Sequence, residues 1–206
     1  MQMIKAVLFD ADGVLQETAA SFFIDIKSLV SDEQADEFLG QVFAAERPAL
    51  ISQSNFREDL QTLLKQWQVD EPVDDILSIW HRIDLVPGIL SLIKNLRDTG
   101  CTVCLATNQQ ALRMQYMRDS MGLDQHFDRA YYSCELGVAK PSREYFLAIQ
   151  ADLGVGPDQM LFIDDSLPNI LGADSCGLQT EHFSLVGRPD ASGDLGRIIH
   201  ARGVTF

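Results

Sequence analysis

Short apolar runs alternate with segments of helical periodicity along most of this chain, and this alternation limits its fold more than any other feature. The apolar runs recur at intervals of roughly 20–30 residues, within IKAVLFD, CTVCLATN, FDRAYYSCELG, QMLFIDDS and LQTEHFS. Helical patterns lie between them, among them VPGILSLIKNLRDTG, QQALRMQYMRDSMG, SREYFLAIQADLG and LPNILGADSCG. The first run, residues 4–9, is apolar at nearly every position, which is typical of a strand covered on both faces. The alternation predicts an α/β fold, a parallel sheet with helices on both faces.

Residues 31–81 depart from this alternation. Three helical patterns follow one another there, SDEQADEFLGQVFAAERP, NFREDLQTLLKQWQV and EPVDDILSIWHRI, with no clear strand between them. In the second pattern Asn55 is suited to cap a helix, and the apolar residues after it recur at helical spacing. We therefore predict a core formed by residues 1–16 and 86–206, with a small helical domain inserted at residues 17–85.

The acidic balance of the chain excludes several classes of partner. The 206 residues carry 30 acidic and 16 basic side chains, a net charge of −14, in an otherwise ordinary globular composition of 46% hydrophobic residues. Such a surface repels nucleic acid and anionic membranes, so we expect neither as a partner. No apolar run approaches the roughly 20 residues of a spanning helix. Residues 1–5 lead straight into a strand pattern, so we expect no signal peptide and a cytoplasmic protein.

Cys101 and Cys104 form a C-x-x-C pattern, which is found in redox pairs and in halves of metal sites. Both residues fall within an apolar run that reads as a buried strand, and no second C-x-x-C follows. We therefore expect reduced cysteines that serve as small core residues.

Polar side chains follow several of the predicted strands. Because the carboxyl ends of parallel strands meet at one edge of a sheet, these side chains are expected to share one crevice. They are Asp10 and Asp12 after the first strand, Thr107 and Asn108 after the second, Lys140 after the third, and Asp164 and Asp165 at the fourth.

Four carboxylates in one crevice need a counter-charge, because two unit charges about 4 Å apart cost roughly 4 kcal/mol at an effective dielectric constant of 20. All-oxygen ligands favour Mg²⁺, and zinc is unexpected since no His or Cys falls at a strand end. A cation together with Lys140, Thr107 and Asn108 would form a phosphate site. One carboxylate could then attack phosphorus while a second handles the proton.

The same residues carry a resemblance to a known family. FDADGVL matches the DxDGxx[LVI] motif of the haloacid dehalogenase superfamily, and ATN at residues 106–108 matches its second motif. The Lys140-Pro141 pair matches the third, and FIDDS with the downstream GADSCG matches the fourth. The order and spacing agree from residue 4 to about residue 183. The resemblance implies a Rossmann-like core, and the helical insert looks like the small α-helical C1 cap of the phosphatase and β-phosphoglucomutase branch.

The resemblance also assigns roles to individual residues. Asp10 is expected to be the nucleophile and a metal ligand, and Asp12 the general acid and base, with its backbone carbonyl on the metal. Thr107 and Asn108 are expected to bind the phosphoryl group. Lys140 is expected to neutralise phosphoryl oxygens and to orient Asp10.

The fourth motif departs from the pattern of many relatives. Those relatives read Gly-Asp-Ser where this chain has Asp164, Asp165 and Ser166. Asp165 aligns with the usual metal carboxylate. Asp164 is therefore expected either to act on the metal, directly or through water, or to hold Lys140.

The implied activity is a Mg²⁺-dependent phosphatase acting on a small phosphorylated metabolite. A phosphomutase of the β-phosphoglucomutase type remains the main alternative, although QETAASFF after the first motif shows no convincing match to the mutase cap. Haloacid dehalogenases of this family lack an acid at the position of Asp12, which argues against dehalogenation; a non-catalytic binding protein is the remaining alternative. Either a monomer or a homodimer is consistent with the sequence. Five basic insert residues are candidate substrate contacts, although each is expected rather to lie on a solvated helix face: Lys27, Arg47, Arg57, Lys65 and Arg82.

Overall fold

The computed structural model describes residues 3–205 of the chain, and its central element is a five-stranded parallel sheet. The strands are β1 (Ala6–Phe9), β2 (Gln16–Thr18), β3 (Ile83–Leu85), β4 (Thr102–Thr107), β5 (Arg129–Tyr132), β6 (Met160–Asp164) and β7 (Gln179–His182). The sheet order is β5-β4-β1-β6-β7, with every neighbouring pair parallel. Strand β1 therefore lies at the centre, and the strand order reverses beside it, which is where doubly wound folds place their sites.

Ten α-helices accompany the strands in the part of the chain that the structure describes. They are α1 (Phe22–Lys27), α2 (Ala35–Ala49), α3 (Phe56–Gln66), α4 (Val73–Leu77), α5 (Ile89–Asp98), α6 (Ala111–Gln115), α7 (Ser133–Leu136), α8 (Arg143–Leu153), α9 (Leu167–Ser175) and α10 (Ala191–Ala201). A π-helical turn, Tyr116–Ser120, continues α6, and a 3-10 turn, Ser78–His81, follows α4. Within residues 3–205, no helix combines the length and the apolar character needed to cross a bilayer.

The central strand explains why the first apolar run has no polar interruption. Val7 and Phe9 belong to the hydrophobic cluster on one face of the sheet, which includes residues of α5 and α10. Ala6 and Leu8 belong to the cluster on the other face, with residues of α8 and α9. All four side chains are fully buried, so both faces of β1 are covered. The predicted fold class is confirmed.

The inserted helices form a hydrophobic cluster of their own, which runs in sequence from Phe22 to Trp80. Strands β2 and β3 pair as an antiparallel ribbon where the chain enters and leaves this segment, with Glu17 opposite Asp84. The separate cluster supports the division into residues 1–16 and 86–206 against residues 17–85, which remains a prediction. Residues 1, 2 and 206 of that division lie outside the described part of the chain.

Several elements were not predicted. The ribbon strands β2 and β3 are three residues each, too short to show an alternating pattern. Helices α1 and α10 also lie outside the predicted segments. The third insert helix is α4 followed by a 3-10 turn, where a single helix was expected.

The C-x-x-C residues are not a pair. Cys101 belongs to the cluster on one face of the sheet and Cys104 to the cluster on the other, as a spacing of three on a strand dictates. Burial raises the pKa of Cys101 to about 11 and that of Cys104 to about 12. Both thiols are free and buried, which agrees with their expected role as core residues.

Candidate active site

The carboxyl ends of the strands open into a cavity of about 590 Å³ between the sheet and the insert. We call its sheet side the floor, formed by Asp10, Asp12, Gly13, Thr107, Asn108, Lys140, Asp165 and Asn169. We call its insert side the wall, formed by Glu17, Thr18, Ala20, Phe23 and Asp84. Six of the seven residues singled out from the sequence therefore lie on the floor. The seventh, Asp164, is fully buried beside Lys140.

Lys140 joins two carboxylates beneath the cavity. Its Nζ lies 2.8 Å from Asp10 Oδ1 and 2.7 Å from Asp164 Oδ2. The Ala11 backbone N–H also donates to Asp10 Oδ1, at 2.7 Å. Because both contacts of Asp10 fall on its Oδ1, the second oxygen of Asp10 is left for the cavity.

The charges of this group are shaped by burial. Burial raises the pKa of Asp10 to about 7, with Lys140 acting in the opposite direction and Asp164 adding to the rise. Burial works against the ammonium of Lys140, but Asp10 and Asp164 outweigh it and raise the pKa of Lys140 above its usual value. Lys140 is therefore charged, and an additional cation beside Asp10 would favour its carboxylate form.

Asp164 is held from several sides. Besides Lys140, it accepts a hydrogen bond at Oδ1 from the Ser166 backbone N–H at 2.8 Å. The Asn169 amide donates to both of its oxygens, at 3.1 and 3.2 Å. This arrangement supports the expectation that Asp164 holds Lys140, and it leaves little of the carboxylate for a metal.

Three carboxylates at and beneath the floor form a candidate cation site. One carboxylate oxygen from each of Asp10, Asp164 and Asp165 lies within 4.8 Å of the others. Gly13 has a φ of +78°, and a Cβ there would collide with the Asp165 carboxylate. Burial, followed by the charge of Asp164, raises the pKa of Asp165. The donors are all oxygen, so these residues fit Mg²⁺.

Asp12 lies in a cradle of donors that the sequence did not reveal. Arg113 Nη2 donates to Asp12 Oδ1 at 2.7 Å, and Gln16 Nε2 donates to the same oxygen at 3.1 Å. Gln109 Nε2 donates to Asp12 Oδ2 at 2.7 Å. Both oxygens of the carboxylate thus accept hydrogen bonds, while 35% of the Asp12 side chain stays exposed.

Thr107 and Asn108 take different positions on the floor. Thr107 is almost fully buried, and its hydroxyl accepts from Gln109 Nε2 at 3.2 Å, so its own proton is available to a ligand. The Asn108 side chain donates to the Lys140 carbonyl and accepts from the Lys140 N–H, both at 2.9 Å. The Asn108 amide therefore holds the backbone of Lys140, and this contact differs from the phosphoryl contact expected of it.

The basic residues of the insert lie outside the cavity lining. Lys27 pairs with Asp36, Arg57 with Asp74 and Arg82 with Asp25. Arg47 and Lys65 are exposed and do not line the cavity either. The insert instead contacts the core through His81, whose ring stacks on Tyr116 with centroids 4.3 Å apart.

The family model of the haloacid dehalogenase-like hydrolases matches residues 4–177, and the chain belongs to this family. The resemblance inferred from the four motifs is thereby confirmed.

Relatives and solved structures cover nearly the same extent. The chain is 27% identical over 189 residues to D-ribitol-5-phosphate phosphatase of Bacteroides thetaiotaomicron, covering 86% of this chain and 91% of that one. It is 23% identical to phosphoglycolate phosphatase of Salmonella typhi, covering 86% and 80%. A haloacid dehalogenase-family enzyme of B. thetaiotaomicron, solved with magnesium and inorganic phosphate, superposes with a TM-score of 0.74 at 24% identity, covering 90% and 96%. A predicted haloacid dehalogenase-like hydrolase of Porphyromonas gingivalis superposes with a TM-score of 0.78 at 22% identity, covering 96% of this chain and 98% of that one.

Sequence reasoning missed the residues that surround the predicted ones. Arg113 and Gln109 lie near the start of α6, directly after the second motif, and Asn169 lies in the first turn of α9. Polar residues in the first turn of a helix that follows a functional strand end were the available signal. Glu17 and Asp84 gave no such signal, since only the pairing of β2 with β3 brings them together.

Proposed function

We propose that the protein is a Mg²⁺-dependent phosphatase that hydrolyses small phosphate monoesters through an aspartyl phosphate on Asp10. The observation that carries the proposal is the floor itself. A buried carboxylate faces the cavity with one oxygen, Lys140 holds its other oxygen, and a second carboxylate, Asp12, lies two residues further on. A nucleophile, its counter-charge and a proton carrier thus surround one space.

The chain's own groups account for both halves of the reaction. Asp10 attacks phosphorus, the bond from phosphorus to the ester oxygen breaks, and Asp12 as the acid gives its proton to the leaving oxygen. Asp12, now a carboxylate, takes a proton from water as the water oxygen attacks the aspartyl phosphate. Phosphate leaves, Asp10 is regenerated as a carboxylate, and Asp12 is protonated again. Thr107 and Lys140 bind the phosphoryl oxygens throughout.

The residues that would hold Mg²⁺ are Asp10, Asp165 and the backbone carbonyl of Asp12. When bound, the ion supplies positive charge to the phosphoryl oxygens and to the crowded carboxylates. The crowding of Asp10, Asp164 and Asp165 oxygens within 4.8 Å supports this assignment, because a cation between them would favour the carboxylate form of Asp10, whose pKa burial raises. A fold relative solved with magnesium and phosphate supports it further.

The wall points to a class of leaving group. Glu17 and Asp84 lie opposite each other on the ribbon, both exposed, and both line the cavity. Among the described residues that line the cavity, Lys140 is the one cationic side chain, and Asp10 and Asp164 occupy it. A second anionic group on the substrate would meet two carboxylates and no counter-charge. We therefore propose an uncharged, hydroxyl-bearing leaving group, as in a polyol or sugar phosphate, with the half-exposed ring of Phe23 covering its carbon chain.

A phosphomutase would use the same floor and differ in the fate of the aspartyl phosphate. No feature of the wall favours it. Dehalogenation expels a halide and needs no proton donor, so the elaborate contacts of Asp12 argue for phosphoryl chemistry.

The test is hydrolysis of p-nitrophenyl phosphate by the purified protein. Activity should need Mg²⁺, disappear with a chelator and return when Mg²⁺ is restored. Asp10→Asn should lower turnover by more than about 10³-fold, whereas Asp70→Asn, an exposed residue of the insert, should leave it unchanged. Asp12→Asn should slow turnover while binding of a phosphate analogue survives. Activity that persists in Asp10→Asn would remove Asp10 as the nucleophile. If activity is lost in that variant, hydrolysis of a panel of phosphorylated metabolites by the wild-type protein would identify the substrate.

A further inference from the structure

Arg113 is a buried cation beside the proposed acid and base. It lies in the short helix α6, and its side chain is 9% exposed. Its Nη2 donates to Asp12 Oδ1 at 2.7 Å and reaches Thr18 Oγ1, on the wall, at 3.4 Å. Its Nε is buried without a hydrogen-bond partner among the described residues. This guanidinium is therefore desolvated and only partly satisfied.

Stability alone does not explain such a residue. Burying an ion pair costs desolvation energy that its mutual attraction often fails to repay, so an apolar side chain in its place would often be no less stable. Lys140 already pairs with Asp10 on the floor and with the buried Asp164. Within the described residues Arg113 forms an ion pair with Asp12, and its charge also acts on the Glu46 carboxyl.

We propose that Arg113, together with Gln109, is a positioning residue for proton transfer by Asp12. The two side chains bind opposite oxygens of the Asp12 carboxylate and so fix its plane. Gln109 is 3% exposed, and its amide also contacts Thr107 Oγ1, so the cradle is tied to the phosphoryl-binding side of the floor. The proposal rests on the proposed function, because it gives Asp12 the acid and base role described there.

The step most dependent on this geometry is hydrolysis of the aspartyl phosphate. Water loses one proton to Asp12, its oxygen bonds to phosphorus, and the bond between phosphorus and Asp10 breaks to release hydrogen phosphate. A misplaced Asp12 slows this step for every substrate. Transfer of the phosphoryl group from p-nitrophenyl phosphate to Asp10 needs no proton, since p-nitrophenolate is a stable leaving anion. That step should be spared.

The experiment is rapid-mixing kinetics of Arg113→Gln with p-nitrophenyl phosphate and saturating Mg²⁺. We expect a burst of p-nitrophenolate approaching one equivalent per active site, at a rate within twofold of the wild-type phosphorylation rate. The steady-state rate that follows should be about tenfold below wild type. This loss is smaller than the rate enhancement of roughly 10²–10⁴-fold that general acid–base catalysis usually provides, because Asp12 itself is still present. Arg113→Lys, which keeps the positive charge beside Asp12, should recover most of the steady-state rate. Arg129→Gln, which removes an exposed arginine of β5, should match wild type.

Two outcomes would overturn the proposal. The first is a steady-state rate in Arg113→Gln within twofold of wild type. The second is a burst and steady-state rate that fall together, because damage to the fold lowers both alike. Should Arg113→Gln fail to fold, Gln109→Leu removes the donor to the other oxygen of Asp12. If Gln109→Leu releases no burst of p-nitrophenolate above its steady-state rate, the proposal that Gln109 positions Asp12 is contradicted. Failure of the proposed function would show differently, as absent wild-type activity or as activity retained in Asp10→Asn.

Discussion

The floor and the wall of the cavity both carry carboxylates, and two carboxylates of the floor differ sharply in their surroundings from the two of the wall. On the floor, Asp10 is paired with a buried lysine and Asp12 with a buried arginine. On the wall, Glu17 and Asp84 face each other across the ribbon and are exposed. Neither of the two has an ion-pair partner within the part of the chain that the structure describes.

The difference separates two tasks. Carboxylates with buried cations are fixed in place, which suits groups that must attack or transfer a proton at a set position. Carboxylates that stay exposed and unpaired cost the folded protein little free energy because water solvates them. Their negative charge acts mainly on charged substrates that enter the cavity. The floor is thus suited to chemistry and the wall to selection among substrates.

The strongest test of this comparison is Lys140→Met. Removing the cation leaves Asp10 and Asp164 buried without their partner, so the free energy of unfolding should fall by about 3–5 kcal/mol. Urea unfolding at neutral pH in a chelating buffer measures it. The matched control is Lys94→Met, which breaks an exposed pair with Asp98 and should change stability by less than about 0.5 kcal/mol. Equal effects of the two variants would contradict the distinction between buried and exposed pairs.

A second test concerns Glu46, a carboxyl of α2 that accepts a hydrogen bond from Trp80 Nε1 at 2.8 Å. Burial raises the pKa of Glu46 to about 7 from a usual 4.5, with the Trp80 bond and the charge of Arg113 acting in the opposite direction. Below the usual value the group is protonated in both the folded and the unfolded chain. As the pH rises from there to 7, only the unfolded chain releases the proton, so folding becomes progressively less favourable.

Glu46→Gln removes this penalty while it keeps an acceptor for Trp80. Its free energy of unfolding, relative to wild type, should therefore rise by about 2 kcal/mol between pH 5 and pH 8. This value is smaller than the free energy that corresponds to the whole pKa shift, because the side chain is partly exposed. Urea titrations at several pH values measure it, with Glu37→Gln, exposed on the same helix, as the control. A difference that stays constant with pH would show that Glu46 has no raised pKa.

The smallest expected effect is on selectivity at the wall. Replacing Glu17 by Gln and Asp84 by Asn together should raise kcat/KM for phosphoglycolate relative to ribitol 5-phosphate by about three- to tenfold, because exposed charges act weakly through water. Added salt should reduce the difference between wild type and the double variant. If the ratio of the two substrates does not change, the wall does not select by charge.

Local patterns and motif order predicted the residues that follow strand ends. Asp10 and Thr107 each follow an apolar run, and Asp164 and Asp165 follow a third, so their shared edge of the sheet followed from the parallel topology. The cradle of Asp12 was not predicted, because no sequence pattern indicates that Arg113 and Gln109, which come shortly after the second motif, contact Asp12. Only the packing of α6 against the first strand's loop brings them together.

The role of Asn108 shows the same limit from another side. Its motif was recognised, but its two hydrogen bonds to the Lys140 backbone depend on how β4 lies beside the loop that follows α7. The two ribbon strands escaped detection because they are three residues each, although they line the cavity. Helix α10 was also missed, and it packs in the hydrophobic cluster on one face of the sheet. Strand patterns and motif order thus located the predicted residues of the floor and left their supporting contacts to tertiary structure.

The β2–β3 ribbon has a consequence for chimaeric enzymes. Glu17 and Asp84 belong to the two chain crossings themselves and not to the helices of the insert. A graft exchanged between relatives with its junctions before β2 and after β3 would carry both carboxylates to the recipient. A graft joined at residues 20 and 82 would bring the helices and leave both carboxylates with the host. Two chimaeras with the same helical bundle would then differ in the charge presented at the cavity, and the choice of junction would decide which parent's preference they inherit.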